Sequence, residues 1–384
     1  MYTKILFFPS CFNRAFKYSV TVTELVKKAL KTSNSNWFTQ SGEAFKDAVH
    51  IDRTTQENPT PVDASFLSKK LEASSTFSVN AAGLVFPQVA KLCLHVMSAF
   101  GLPANANLYA TYKEAEVSVP PHNDPQDLLI LQMQGEKWWT LYEPDVPWPS
   151  TSQCKGRASE GSTIPVSELQ EPIGPVHLTP GDLLYVPFGM VHRTSTSGHE
   201  RTLCKEPESG VLTSGCTSLH LAMGIHMESY GHVYGKLLEC ALLGGKRLKM
   251  DDKLNAVDIV NPSMEKEISL REPLPLGFPA RSSSPGMWRH LKKRIVEAFS
   301  KYAIDLDRGD LEEHVEDGAT RTEAVIAHKH EELVGNFRSA YEKASAASEE
   351  DEVTGYEWLN DIMGQYQRDT MRLCSPELSP AFEY

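Results

Sequence analysis

Apolar positions recur with two different periods along the chain. Phe86, Val89, Leu92, Cys93 and Val96 fall three or four residues apart, Pro87 suits a first helical turn, and Gly101 follows the end. That spacing predicts an amphipathic helix over Phe86 to Phe100. A second helix is expected near Thr21 to Leu30, opened by Thr21-x-x-Glu24 in capping-box form. The stretch from Ser33 to Ala64 is polar and gives little signal. From Asn107 to Ile225 the texture changes to short strands and turns. Asp127 to Met133 is apolar-rich, Gly135-Glu136-Lys137 makes a tight connection, and Trp138 to Tyr142 follows, so the segment reads as a β-hairpin. Leu178, the Pro180-Gly181-Asp182 turn and Leu183 to Val186 repeat that logic. Several short strands divided by turns predict a mainly β core, a barrel or jelly roll. Two stretches, 147–175 and 195–215, read as long loops of the kind that serve as lids or insertions. The remainder is helical. Its stripes are Trp288, Leu291, Ile295, Phe299 and Tyr302; then Ile326, Leu333, Phe337 and Ala344, broken by His330; then Trp358, Leu359, Ile362, Met363 and Tyr366.

This divides the 384 residues into an N-terminal segment (1–75, part helical, part flexible), a β domain (76–225) and a C-terminal α-helical region (226–384). Composition adds limits. No apolar run approaches the ~18 residues that span a bilayer, so no membrane role is expected. Of the net charge of −12, −10 falls between Asp305 and Glu352, where 15 acidic residues face 5 basic ones. That balance disfavours direct nucleic-acid binding and suits either a solvated helix face or attraction of a basic protein. Seven scattered cysteines without a Cys-x-x-Cys pair read as free thiols in a reducing compartment. The N-terminus carries Lys4, Arg14 and Lys17 with no acid before Glu24, but Pro9 interrupts an apolar stretch already short for a signal peptide. It reads as an ordinary N-terminal segment, with organelle targeting the less favoured reading.

The candidate chemistry sits in Pro121-His122-Asn123-Asp124. Residues i and i+2 of a strand project to one face, so His122 and Asp124 can point together into a barrel. A second histidine completes a two-histidine, one-carboxylate triad. That triad leaves three adjacent coordination positions open and suits non-haem Fe(II), with room for a bidentate anionic co-substrate beside dioxygen. The second histidine is His192, which ends the segment PGDLLYVPFGMVH (180–192), where a Gly-Asp turn feeds a strand and Pro and Gly bend the chain. Other constellations carry less. His328 and His330 stand at i and i+2 of an expected helix and do not share a face. Gly244-Gly245-Lys246 lacks phosphate-loop spacing, and no Gly-x-Ser-x-Gly elbow occurs.

PPHNDPQDLLILQMQGEKWWTLYEP followed by LTPGDLLYVPFGMVH resembles the JmjC ribosomal oxygenases, histidyl hydroxylases also described as lysine demethylases. The similarity runs from about Ala73 to Ile225 and continues more weakly through Gly231 to Leu243 and Leu270 to Phe278. It implies a double-stranded β-helix (cupin, JmjC) fold and an Fe(II)- and 2-oxoglutarate-dependent dioxygenase, with His122, Asp124 and His192 as catalytic metal ligands. It also suggests Lys137 for the distal carboxylate of 2-oxoglutarate. A small dicarboxylate site needs a cation away from the metal, and an inward-facing lysine supplies one. Asn107 and Tyr109 match the family's Asn-x-Tyr strand, and His220 falls on a family pocket strand. Ala222 stands where relatives often carry a hydroxyl, and Pro125 where they commonly carry an acid. The resemblance implies a protein substrate, a histidine of a ribosomal protein or a methyl-lysine of a histone tail. It also implies a homodimer through the C-terminal helices and a nuclear or nucleolar location, with the cytoplasm as the alternative. A non-catalytic cupin scaffold binding ribosomal or chromatin proteins is the rival from another class.

Overall fold

The computed structural model describes residues 76–145 except 113, 114 and 116, then 149, 154–155, 164–197, 217–225, 289, 293 and 335–346, and the backbone of three strands nearer the N-terminus. The strands are β1 (Phe7–Phe8), β2 (Ser35–Ser41), β3 (Ala44–Ile51), β4 (Thr76–Val79), β5 (Ala104–Tyr112), β6 (Val119–His122) and β7 (Asp127–Gln134). They continue with β8 (Lys137–Tyr142), β9 (Pro172–Leu178), β10 (Leu183–Val186), β11 (Val191–Ser195) and β12 (Thr217–Ile225). The helices are α1 (Ala82–Val85), α2 (Pro87–Phe100) and α3 (335–346).

All the pairings are antiparallel and form two sheets. One has the order β1-β10-β7-β12-β5-β4-β2-β3, the other β6-β11-β8-β9. The pairings nest: β5 with β12, β6 with β11, β7 with β10, and β8 with β9. One long hairpin has been wound so that strands from its two arms alternate between facing sheets, which is the expected double-stranded β-helix. The β8–β9 connection is the tip of that hairpin.

This winding corrects the hairpin reading of Asp127 to Tyr142. Strand β7 lies between β10 and β12, whereas β8 lies between β11 and β9. The tight connection at Gly135, with φ +61°, therefore carries the chain from one sheet to the other. The same holds at Pro180-Gly181-Asp182, where β9 and β10 belong to opposite sheets. The polar stretch after Ser33 holds β2 and β3, which join the larger sheet through β2 and β4. The stretch 147–175 ends in the first residues of β9.

Alternation along the strands makes two cores. Inside the barrel pack Leu128, Ile130, Trp139, Leu141, Leu178, Leu184, Val186 and Met190. On the outer face of the larger sheet, Ala106, Leu108 and Ala110 of β5 and Leu219, Leu221 and Met223 of β12 meet the apolar stripe of α2. Helix α2 starts with Pro87 at its first turn and ends at Gly101 in the left-handed region, as the sequence predicted. Among the described cysteines, Cys93 and Cys154 are buried and form no disulfide, and burial pushes the Cys93 thiol up to about 12. No described helix is long and apolar enough to cross a membrane.

Helix α3 closes the outer core. Phe337, Tyr341 and Ala344 form its buried stripe, so the predicted Phe337/Ala344 stripe packs on the β domain. The Tyr341 hydroxyl donates to the Ala104 carbonyl at 2.9 Å. Its ring lies so near α1 that a Cβ at Gly83 would stand 2.6 Å from Tyr341 Cε1. Tyr341→Phe keeps the ring and removes that hydrogen bond, so the urea midpoint is expected to fall by about 1 kcal/mol equivalent. The helix expected near Thr21, the other C-terminal stripes, the His328 and Gly244 segments and most of the two long loops lie outside the described residues. So does any dimer contact they would make.

Candidate metal centre

The sheet brings the two histidines side by side. His122 ends β6, and its register partner on β11 is His192. Two prolines, Pro120 and Pro121, precede His122 on an edge strand, where a missing N–H is tolerated. The β6–β11 register also shifts between His192 and Thr194. His122 and Val119 are three apart, yet they stand opposite His192 and Thr194, which share the inner face of β11. A bulge of this kind re-aims a side chain, and here it turns His122 inward. The two rings lie 4.2 Å apart between centroids.

Each ring uses Nδ1 on the carbonyl two residues before it: His122 on Pro120 at 2.9 Å and His192 on Met190 at 3.1 Å. A carbonyl only accepts, so each Nδ1 carries the hydrogen and each Nε2 presents a lone pair. Both Nε2 atoms face one carboxylate oxygen. Asp124 Oδ2 is 3.7 Å from His122 Nε2 and 3.8 Å from His192 Nε2. One ligand atom from each residue lies within 4.8 Å of the others. His192 is buried, and its pKa is lowered to about 4, chiefly by burial and then by His122. It is therefore a neutral, coordinating imidazole at neutral pH. Two imidazole nitrogens and one carboxylate, with backbone carbonyls orienting the rings, make a donor set that fits Fe(II) and leaves adjacent positions open. The three residues found from sequence thus converge, although Asp124 lies two residues beyond the end of β6 rather than inside a strand.

Further along the inner face of β8 lies Lys137, which is 0% exposed. Its Nζ donates to Thr111 Oγ1 at 3.0 Å. Thr76 spends its hydroxyl hydrogen on the Ser118 carbonyl at 2.6 Å, so it accepts from Thr111 at 3.0 Å and Thr111 in turn accepts from the lysine. No carboxylate among the described residues pairs with Lys137, and burial lowers its pKa to about 7. Leu141, four residues on, is the register partner of His192, which puts the lysine backbone about 13 Å of strand from the metal ligands. A lysine side chain and a short dicarboxylate are together long enough to cover that distance.

Between the two ends stands a polar wall. His220 of β12 is in register with Tyr109 of β5 and Gln132 of β7. Its ring stacks on Tyr109 at 5.0 Å and meets Trp139 edge-on at 5.4 Å. Trp139 also lies against His192, 5.5 Å between centroids. Three buried side-chain atoms among the described residues have no hydrogen-bond partner: Gln132 Oε1, Trp139 Nε1 and His220 Nδ1. All belong to this wall, and such atoms call for a ligand or water. Burial, with Lys137 and His192 nearby, holds the His220 pKa well below its usual value. Asn107 commits its Oδ1 to the Ala81 N–H at 3.1 Å, so half of its amide serves the fold. Sequence reasoning found Lys137, Tyr109 and His220 but missed Trp139, Thr111 and Gln132. The signal was period 2: Trp139 is i+2 from Lys137, and Thr111 is i+2 from Tyr109.

Asp127 steadies the turn before His192. Its carboxylate accepts from the Phe188 N–H at 2.7 Å and the Tyr185 hydroxyl at 2.9 Å. Burial outweighs these bonds and raises its pKa to about 6. The folded protein then binds a proton more readily than the unfolded chain between about pH 4 and pH 6, so this group's stabilising contribution falls as pH rises through that window. Asp127→Asn is expected to gain stability relative to wild type between pH 4.5 and 7.5, on the order of 2 kcal/mol, as read by urea midpoints at the two pH values.

Comparison with known proteins agrees with this architecture. A family model described as JmjC domain matches residues 84–205. The bifunctional lysine-specific demethylase and histidyl-hydroxylase NO66 of Drosophila persimilis is 29% identical over 190 residues, covering 49% of this chain and 21% of that protein. The protein of the same name from Dictyostelium discoideum is 32% identical over 153 residues, covering 40% of this chain and 26% of the relative. Ribosomal oxygenase 2 of Bos taurus is 38% identical over 97 residues, covering 25% and 19%. Among solved structures, the ribosomal oxygenase YcfD from Escherichia coli aligns with 14% identity and a TM-score of 0.38 over 68% of this chain and 60% of that one. The chain spans only about a fifth to a quarter of the length of the curated relatives it matches. The JmjC model lies over the strands that carry all three ligands, and over that region the chain is similar to JmjC ribosomal oxygenases.

Proposed function

We propose that this chain is an Fe(II)- and 2-oxoglutarate-dependent protein oxygenase that hydroxylates a histidine side chain of a ribosomal protein. The observation that carries the reading is the pairing, on one inner face, of the His122–Asp124–His192 cluster with a buried lysine that has no counter-charge among the described residues. When bound, the metal with 2-oxoglutarate and dioxygen supplies the oxidising chemistry, which yields succinate, carbon dioxide and a hydroxylated side chain.

The chain's own residues prepare that chemistry. His122, Asp124 and His192 hold the ion on one side and leave the other open. Lys137 neutralises the far carboxylate of the co-substrate, and Thr111 sets the direction of its ammonium. His220 and Trp139 offer buried polar atoms to whatever occupies the space between, with Tyr109 and the remaining amide nitrogen of Asn107 at its edge. The Trp139 ring covers one face of His192 and keeps water from that side of the ligand.

The histidine target and a nuclear or nucleolar site of action rest on family likeness. Methyl-lysine demethylation of a histone tail draws on the same cofactor set and is the second reading, since the relatives' names carry both activities. The test is succinate formation from 2-oxoglutarate with added Fe(II), followed by mass spectrometry of ribosomal proteins for a 16 Da gain on histidine. Turnover with hydroxyhistidine supports the proposal. Turnover only with methylated histone peptides moves it to demethylation, and no turnover with any of these substrates favours a non-catalytic scaffold.

A further inference from the structure

The sheet holds two of the three ligands, but not the third. His122 and His192 face each other across β6 and β11, and His192 is also in register with Leu141 of β8. Asp124 lies past the end of β6, beyond the reach of that ladder. Two neighbours supply what the sheet does not. The Asp124 carbonyl accepts the Gly189 N–H at 2.9 Å. Asn123, buried between the two ligand residues, uses both ends of its amide. Its Oδ1 accepts the Lys155 N–H at 2.7 Å, and its Nδ2 donates to the Gly189 carbonyl at 3.2 Å. Its backbone N–H donates to the Lys155 carbonyl at 3.1 Å.

Lys155 belongs to the β8–β9 connection, and Gly189 to the turn that leads into His192. The two pieces are also packed on each other. Gly189 has φ +75°, and a Cβ there would stand 2.2 Å from Pro149 Cδ, in the same connection. A third strut joins that connection to β6, where the Ile164 N–H donates to the Pro121 carbonyl at 3.3 Å.

We propose that Asn123 is the positioning residue for Asp124. It ties the metal motif to the β8–β9 connection on one side and to the Gly189 turn on the other, and so sets where the carboxylate stands against two imidazoles already fixed by the sheet. This rests on reading His122, Asp124 and His192 as metal ligands. Asn123 itself touches neither metal nor co-substrate. A buried asparagine with a purely structural role would affect unfolding but leave metal ligation alone.

Co(II) is the probe, because its visible absorption reports the ligand set and its affinity is measurable without turnover. Asn123→Ala is expected to weaken Co(II) binding about 10- to 100-fold, the range for residues that orient a metal ligand, and to change the Co(II) spectrum. In an Asp124→Ala background no carboxylate remains to be positioned, so adding Asn123→Ala should change Co(II) affinity less than about twofold. An equal loss in both backgrounds overturns the proposal, as does wild-type affinity with an unchanged spectrum in the single variant. If Asn123→Ala does not fold, Lys155→Pro serves instead. It deletes the N–H that Asn123 Oδ1 accepts, at a residue whose side chain is mostly exposed, and a Co(II) affinity loss of roughly 3- to 10-fold is expected, whereas an unchanged value overturns the proposal. Failure of the wild-type protein to bind Co(II) at all would instead remove the metal reading beneath it.

Discussion

Lys137→Met is expected to make the protein without co-substrate more stable while weakening 2-oxoglutarate binding by roughly 10²–10³-fold. The two effects have one cause. An ammonium that is fully buried and has only Thr111 as partner among the described residues is a cost to the fold, and an apolar side chain of similar length relieves it. The same ammonium is the counter-charge that a buried carboxylate requires. Removing one member of a desolvated charge pair costs about 2–5 kcal/mol, at 1.4 kcal/mol per tenfold in affinity. A surface lysine would show neither effect. Thermal melting of the metal-free protein and calorimetric titration with 2-oxoglutarate in the presence of Mn(II) measure both.

The pH dependence follows from the lowered pKa of about 7. Below that value the lysine of the free protein is already charged, and the co-substrate binds without proton exchange at this site. Above it the lysine is neutral, binding takes up a proton, and apparent affinity falls towards tenfold per pH unit. Calorimetry at pH 8 in buffers of different ionisation enthalpy should show uptake approaching one proton, lost in Lys137→Met. The folding contribution has the opposite trend. The folded state binds fewer protons than the unfolded chain between about pH 7 and pH 10, so this residue's effect on stability improves as pH rises across that window.

His192→Ala is expected to abolish metal-dependent turnover and to weaken divalent metal binding by at least about 10²-fold, beyond what loss of an orienting residue costs. His192 is the most buried of the three ligands and is stacked by Trp139. Its loss opens a gap in the inner core as well as removing a donor, so a melting curve must accompany the metal titration. Asp124→Ala, at a half-exposed side chain, removes the charge with little packing loss and should give the same loss of turnover in a protein that melts near wild type. Retained turnover in either variant would contradict the assignment.

Much of the site was legible because its signals are local. His122 and Asp124 are two residues apart, and His192 ends a turn–strand segment whose glycines and prolines announce its shape. Helix α2 was legible for the same reason, with Pro87 at one end and Gly101 at the other. What failed was partner choice. The turn at Gly135 is as tight as a hairpin turn, and nothing within Asp127 to Tyr142 says that β7 pairs with β10 and β12 rather than with β8. That choice is set by β12, some ninety residues on. Strands β2 and β3 carry little apolar alternation and were missed, because β2 is assigned by pairing with β4 and β3 by pairing with β2. Trp139 and Gln132 were missed for a related reason. Trp139 carried only its i+2 spacing from Lys137, and Gln132 is an ordinary strand residue until His220 is brought beside it. The bulge in β6, which turns His122 inward, is likewise a property of two strands together.

The measurement that bears most directly on the metal centre is an anaerobic Fe(II) titration of the wild-type protein, followed by addition of 2-oxoglutarate and watched for the visible band of a chelated keto-acid complex. One Fe(II) per chain should bind, and the band should appear with 2-oxoglutarate in wild type and be absent in Asp124→Ala. Wild-type protein that takes up no stoichiometric Fe(II), or a band that persists undiminished in Asp124→Ala, would contradict the account.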